Sequence, residues 1–150
     1  MIDSLFYIFI IVLLLIISFI DVKKMIIPDS ILLIGFIGSI AYMLLSRNIN
    51  IENIAGSLIG FLIFLSIALL TNAMGGGDIK LMSLLGFIFG INGILFITVF
   101  SFVLGAVTSI FLLVFKIKKR KDNIAFAPFI SIAVLIYMLY GIDIIQLYLT

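Results

Sequence analysis

Long apolar runs separated by short polar breaks define this chain. The runs cover roughly Leu5 to Ile20, Ser30 to Leu45, Ile54 to Leu70, Ile79 to Ile91, Ile94 to Phe115 and Ile124 to Tyr140. Between them lie DVKKMIIPDS, SRNINIEN, the glycine-rich TNAMGGGD, Asn92-Gly93 and KIKKRKDN. The fourth run is only about 13 residues, short of the ~20 that span a typical bilayer, and the others approach or exceed that length. The pattern predicts an all-α integral membrane protein, a bundle of six transmembrane helices in one domain over residues 1–150. Pro28 and Pro128 fall near the starts of the second and sixth segments, where the first helical turn tolerates proline. Asp29 or Ser30 can cap the second helix. Asn92-Gly93 reads as a tight turn between the fourth and fifth. The opening MIDSLF has an acid and no base, and no small-residue cleavage site follows, so the first segment is expected to be retained rather than removed as a signal peptide.

Composition supports the membrane reading and narrows the chemistry. Hydrophobic residues make up 65% of the chain and charged residues 11%, against about half and a quarter in soluble domains. Mean hydropathy is +1.50. There is no cysteine and no histidine. Disulfides, thiol nucleophiles, Ser-His-Asp triads and the usual zinc sites are therefore excluded. Chemistry must come from carboxylates, lysines or hydroxyls. The net charge of +2 does not indicate a nucleic-acid partner, and no cofactor is implied.

The bases instead orient the chain. With six spans and the first connection inside, the inner side holds Lys23, Lys24, Lys80, Lys116, Lys118, Lys119, Arg120 and Lys121, and the outer side only Arg47. The positive-inside rule then places both termini outside. Asp21 and Asp78, which played no part in that choice, fall on the same cytoplasmic face of the plasma membrane.

Most acids have plain explanations. Asp3, Glu52 and Asp143 fall at outer helix ends, Asp122 in the charged inner loop, and Asp29 at a cap. Asp21 and Asp78 are less easily dismissed. Asp21 could be an interfacial residue paired with Lys23 or Lys24, and Asp78 the N-cap of the fourth segment. Yet Asp21 lies at a helix C-terminus, where the dipole disfavours an anion, and Asp78 near an N-terminus, which favours one. Carboxylates in such contrasting surroundings suit acid and base roles in activating water. An ionisable group at membrane depth is costly and points to function. Before Asp78 stand Gly75, Gly76 and Gly77, which could let backbone approach closely. Small residues at Gly56 and Gly60, at Gly86 and Gly90, and at Ser101, Gly105 and Ser109 suit close helix packing, within a bundle or in a homo-oligomer.

These motifs resemble a known family. Gly75-Gly76-Gly77-Asp78-Ile79-Lys80-Leu81 is similar to the GxGD signature of type IV prepilin peptidases, which are intramembrane aspartyl proteases. Asp21 followed by Ile27-Pro28-Asp29 resembles the family's first-aspartate motif. Ala125-Phe126-Ala127-Pro128-Phe129 resembles its late Phe-Gly-Pro-Phe motif, with Ala127 where glycine is commoner. The resemblance implies a catalytic pair, Asp21 and Asp78. It also implies cleavage of the basic leader of prepilin, pseudopilin or archaellin-like precursors at the cytoplasmic face. Gly75, Gly76, Gly77, Lys80, Pro28 and Pro128 would bind substrate or support the loops. Lys80 would either anchor the interface or orient Asp78. Without cysteines, and starting at the helix of the first aspartate, the chain resembles the short, core-only form, for which N-methyltransferase activity is not expected. A non-proteolytic transporter with a broken helix at the glycines, and a pilus-assembly factor, are the alternatives.

Overall fold

The structure is a computed structural model that describes residues 2–47, 49–71, 74–116 and 124–149, with side chains described from residue 3 to residue 140. It contains five helices: α1 (Ile2–Lys24), α2 (Asp29–Ser46), α3 (Ile51–Thr71), α4 (Gly76–Val114) and α5 (Ala127–Leu149). Four are long and apolar enough to cross a membrane: Asp3–Lys24, Asp29–Ser46, Ile51–Thr71 and Gly76–Val114. The described part of α5 that is apolar, Ala127–Tyr140, is shorter.

The expected six-helix bundle is therefore corrected to five helices. The fourth and fifth predicted segments run together as α4, 39 residues in two helical limbs that meet at a kink with no loop between them. Its single non-helical residue is Gly90, with φ 69° and ψ −168°, not the predicted Asn92-Gly93. That region of backbone space is essentially reserved for glycine. The topology with both termini outside rested on counting six spans and falls with that count. Asp122 and Lys118 to Lys121 lie outside the described residues, as does the side chain of Asp143.

α4 doubles back at Gly90. On a straight helix Met82 and Ile94 would stand about 18 Å apart. Here both reach Gly60: a Cβ there would meet the Met82 carbonyl oxygen at 2.6 Å and Ile94 Cγ1 at 2.9 Å. One turn away, Gly56 backs directly onto the Gly86 carbonyl oxygen and the Gly90 carbonyl carbon. The predicted small-residue stripes are thus used inside the chain, letting α3 lie against both limbs of α4. The break at Gly90 separates the Phe87 carbonyl from its helical partner four residues on, and the Asn53 Nδ2 donates to that oxygen at 2.9 Å. A buried carbonyl left without a donor would be costly.

The core is apolar and continuous. Ile17, Phe64, Leu81, Leu84, Ile94, Ile97, Ile130 and Val134 are inaccessible to solvent. Leu45, Leu69 and Leu70 point outward, as befits a lipid-facing surface. α1 and α5 are joined through Ser18 and Ser131, whose hydroxyls lie 2.7 Å apart. α2 is more loosely held, with Tyr42 stacked on Phe6 and donating to Asp3 at 2.5 Å. Asp3 is therefore a hydrogen-bond acceptor, not simply a solvated helix end.

Candidate active site

Three helix ends converge at the pole opposite Gly90. α1 ends here with Asp21 in its last turn. α4 starts here, with Gly75 as its N-cap and Asp78 three residues further on. α5 starts here at Ala127.

Asp21 is buried, only 6% exposed. Its own helix C-terminus is an unfavourable place for an anion, but α5 offsets this. The Ala127 N–H, one of the unpaired donors at the start of α5, donates to Asp21 Oδ2 at 3.0 Å. The donors of this first turn are well accounted for. Pro128 has none to satisfy, and those of Phe129 and Ile130 go to the Phe126 carbonyl. The predicted proline position thus leaves the Ala127 N–H to the carboxylate. Neither lysine near Asp21 pairs with it: Lys23 instead lies over the Phe19 ring, 4.1 Å from its centroid. The reading of Asp21 as an ion-paired anchor does not hold among the described residues.

Asp78 sits in the first turn of α4, where the helix dipole favours a carboxylate. It is not the N-cap. Its N–H donates to the Gly75 carbonyl at 3.2 Å. Its Oδ1 is buried with no hydrogen-bond partner among the described residues. A buried polar atom left bare is rare in native structures and calls for an explanation.

Asp21 and Asp78 line one cavity of about 530 Å³. Its other lining side chains are mostly apolar and include Met25, Ile67, Met74, Phe102 and Phe126. Phe102 belongs to the returning limb of α4, so the fold-back at Gly90 is what brings that ring to Asp78. Sequence reasoning did not single out Met25, Ile67 or Phe102. They look like any other apolar residue of their segments. The Ala127 N–H was equally invisible, since a backbone donor has no residue signature.

The remaining predicted site residues divide clearly. Gly77 is required by close approach: a Cβ there would meet Ile27 Cβ at 2.7 Å. Gly76 has nothing within 4 Å, and a Cβ at Gly75 would meet only Asp78 Oδ2, at 3.7 Å. Pro28 occupies the N-cap position of α2 with extended backbone and no side-chain cap. Asp29 does not cap that helix. Both of its oxygens accept from Lys80 Nζ, at 2.7 and 2.8 Å. Lys80 accordingly grips Asp29 and makes no recorded bond to Asp78.

Fold and site together define a helical membrane protein with one buried and one partly buried carboxylate lining one cavity at one pole. Residues 8–110 match the type IV leader peptidase family, and the chain belongs to that family. It is 31% identical over 140 residues to the prepilin leader peptidase/N-methyltransferase of Aeromonas hydrophila, covering 89% of this chain and 48% of that protein. The protein of the same name from Bacillus subtilis (strain 168) is 31% identical over 140 residues, covering 91% and 56%. That of Legionella pneumophila is 30% identical over 138 residues, covering 87% and 48%. The chain spans about half the length of these curated relatives. No solved structure matches it.

Proposed function

We propose that this chain is a membrane-embedded aspartyl endopeptidase that cleaves the leader of type IV prepilin-like precursors, with Asp21 and Asp78 as its working pair. The observation that carries this reading is the shared cavity. Two acids far apart in sequence face one space, one fixed by the Ala127 N–H and one presenting a bare buried oxygen. Such a space admits a water and a peptide carbonyl. One carboxylate takes a proton from the water as it attacks the carbonyl carbon, and the other, protonated, donates to the carbonyl oxygen. Collapse of the tetrahedral intermediate breaks the C–N bond, and the departing nitrogen takes up a proton. No histidine or thiol is needed.

In this reading cleavage takes place at the cytoplasmic face of the cell membrane. Lys23, Lys24 and Lys80 lie at the pole that holds the acids, whereas Arg47 follows α2 at the other pole. This bias follows the positive-inside rule without counting spans. N-methylation, which appears in the names of the relatives, is not part of the proposal. No observation among the described residues favours the transporter or assembly-factor reading.

The test is cleavage of a co-expressed prepilin-like precursor, read as a mobility shift. The unmodified chain is expected to cleave, and Asp21→Asn and Asp78→Asn to lose cleavage while still inserting in the membrane. Undiminished cleavage by either variant would overturn the assignment.

A further inference from the structure

The two acids stand on helices whose backbones do not approach each other closely. Among the described residues no Cα of α1 comes within 8 Å of a Cα of α4. Leu13 of α1 and Leu84 of α4 each seat against Gly35 of α2. The distance between the carboxyl groups is therefore transmitted through intermediaries. On one side α5 holds Asp21 through the Ala127 N–H. On the other, the connector between α1 and α2 reaches the first turn of α4.

That connector runs straight on from the turn of Asp21, since the Met25 N–H donates to the Asp21 carbonyl at 2.8 Å. It is fastened to α4 at two points that flank Asp78. Ile27 seats on Gly77, immediately before the acid, with room for no Cβ between them. Lys80, two residues after the acid, holds both oxygens of Asp29. The Gly77 seat is a van der Waals contact and resists approach but not withdrawal. The ion pair supplies the attraction that keeps the two loops together.

We infer that the Asp29–Lys80 ion pair is a positioning device that fixes the separation of the Asp21 and Asp78 carboxyl groups across the cavity. The inference rests on the proposed catalytic pair. A purely structural role fits less well. The pair's side chains are 52% and 72% accessible, and ion pairs so exposed add little to stability. What such a pair can set is geometry, and catalysis is sensitive to misplacement of about 1 Å, which can cost about a hundredfold in rate.

The experiment uses the full chain in lipid vesicles with a prepilin-like precursor as the probe. Lys80→Gln and Asp29→Asn are expected to lower kcat about tenfold, within that sensitivity, with KM and the unfolding temperature nearly unchanged. Lys80→Arg retains a donor fork for the carboxylate and is expected to keep most of the rate. The exchange of charges, Asp29→Lys with Lys80→Asp, is expected to recover much of what either change alone removes. Wild-type kcat in both neutral variants would overturn the inference, as would an exchange no better than its single changes. A raised KM at unchanged kcat would also overturn it, since the pair would then be touching substrate. Asp21→Asn and Asp78→Asn are measured alongside. If they abolish cleavage while the ion-pair variants do not change it, only the positioning role fails. If they cleave normally, the catalytic reading fails and this inference with it.

Discussion

The two poles of the bundle treat their polar groups in opposite ways. At the Gly90 pole α4 doubles back, and the carbonyl freed at Phe87 is matched by a side chain. Asn53 supplies the donor for Phe87, Gly56 lets α3 close on the break, and Tyr42 ties α2 to Asp3. The cavity at that pole is about 220 Å³. At the acid pole the cavity is about 530 Å³, and the Asp78 Oδ1 has no hydrogen-bond partner among the described residues. A membrane bundle gains little from burying carboxylates. The Gly90 pole thus joins its helices by packing, and the proposed function places the chemistry at the acid pole. Substitutions at the two poles should therefore separate stability from activity.

Gly86→Ala should give the largest loss of stability. Its Cβ would overlap the Gly56 carbonyl oxygen, and main chain cannot swing aside as a side chain can. Overpacking of this kind costs about 3 kcal/mol, read as a lowered unfolding midpoint in mild detergent. Asn53→Ala should follow, at about 1 kcal/mol, because the part-buried Phe87 carbonyl loses its donor. Folded Asn53→Ala protein should cleave normally. At the acid pole the adjacent glycines sharpen the contrast. Gly77→Ala drives against Ile27 and should impair cleavage more than it lowers stability, whereas Gly76→Ala meets nothing within 4 Å. The Gly76 variant should leave both readouts nearly unchanged, its stability within about 0.5 kcal/mol of the parent. Equal effects at Gly76 and Gly77 would remove the argument that one glycine of the motif is there for close approach.

The apolar runs located the helices well. α1, α2 and α3 begin and end within a few residues of the breaks that Asp21, Pro28, Arg47 and Glu52 announce. The number of helices was misread at one place. Asn92-Gly93 is the commoner turn signal, but the break falls at Gly90, where the backbone reaches positive φ opposite Gly56. That choice is made by packing between α3 and α4, and no local pattern reports it. The acid pair was legible as two acids on one side of the membrane. Their convergence on one cavity was not, since it depends on the fold-back that brings Phe102 to Asp78 and on a backbone donor at Ala127. Asp29 read as a cap because acids at helix starts usually are caps. Its partner Lys80 lies on α4, far along the chain, and nothing in the spacing linked them.

Under the proposed mechanism Asp21 and Asp78 act as one unit. The measurement that tests it most directly is a double-mutant cycle on single-turnover cleavage of a prepilin-like precursor, using Asp21→Asn, Asp78→Asn and the double variant. Residues that act together are strongly non-additive. Each single change is expected to cost at least about a thousandfold, within the range for loss of general acid–base catalysis, and the double little more than either. Independent, additive losses, or a single variant that cleaves at the parent rate, would contradict the account.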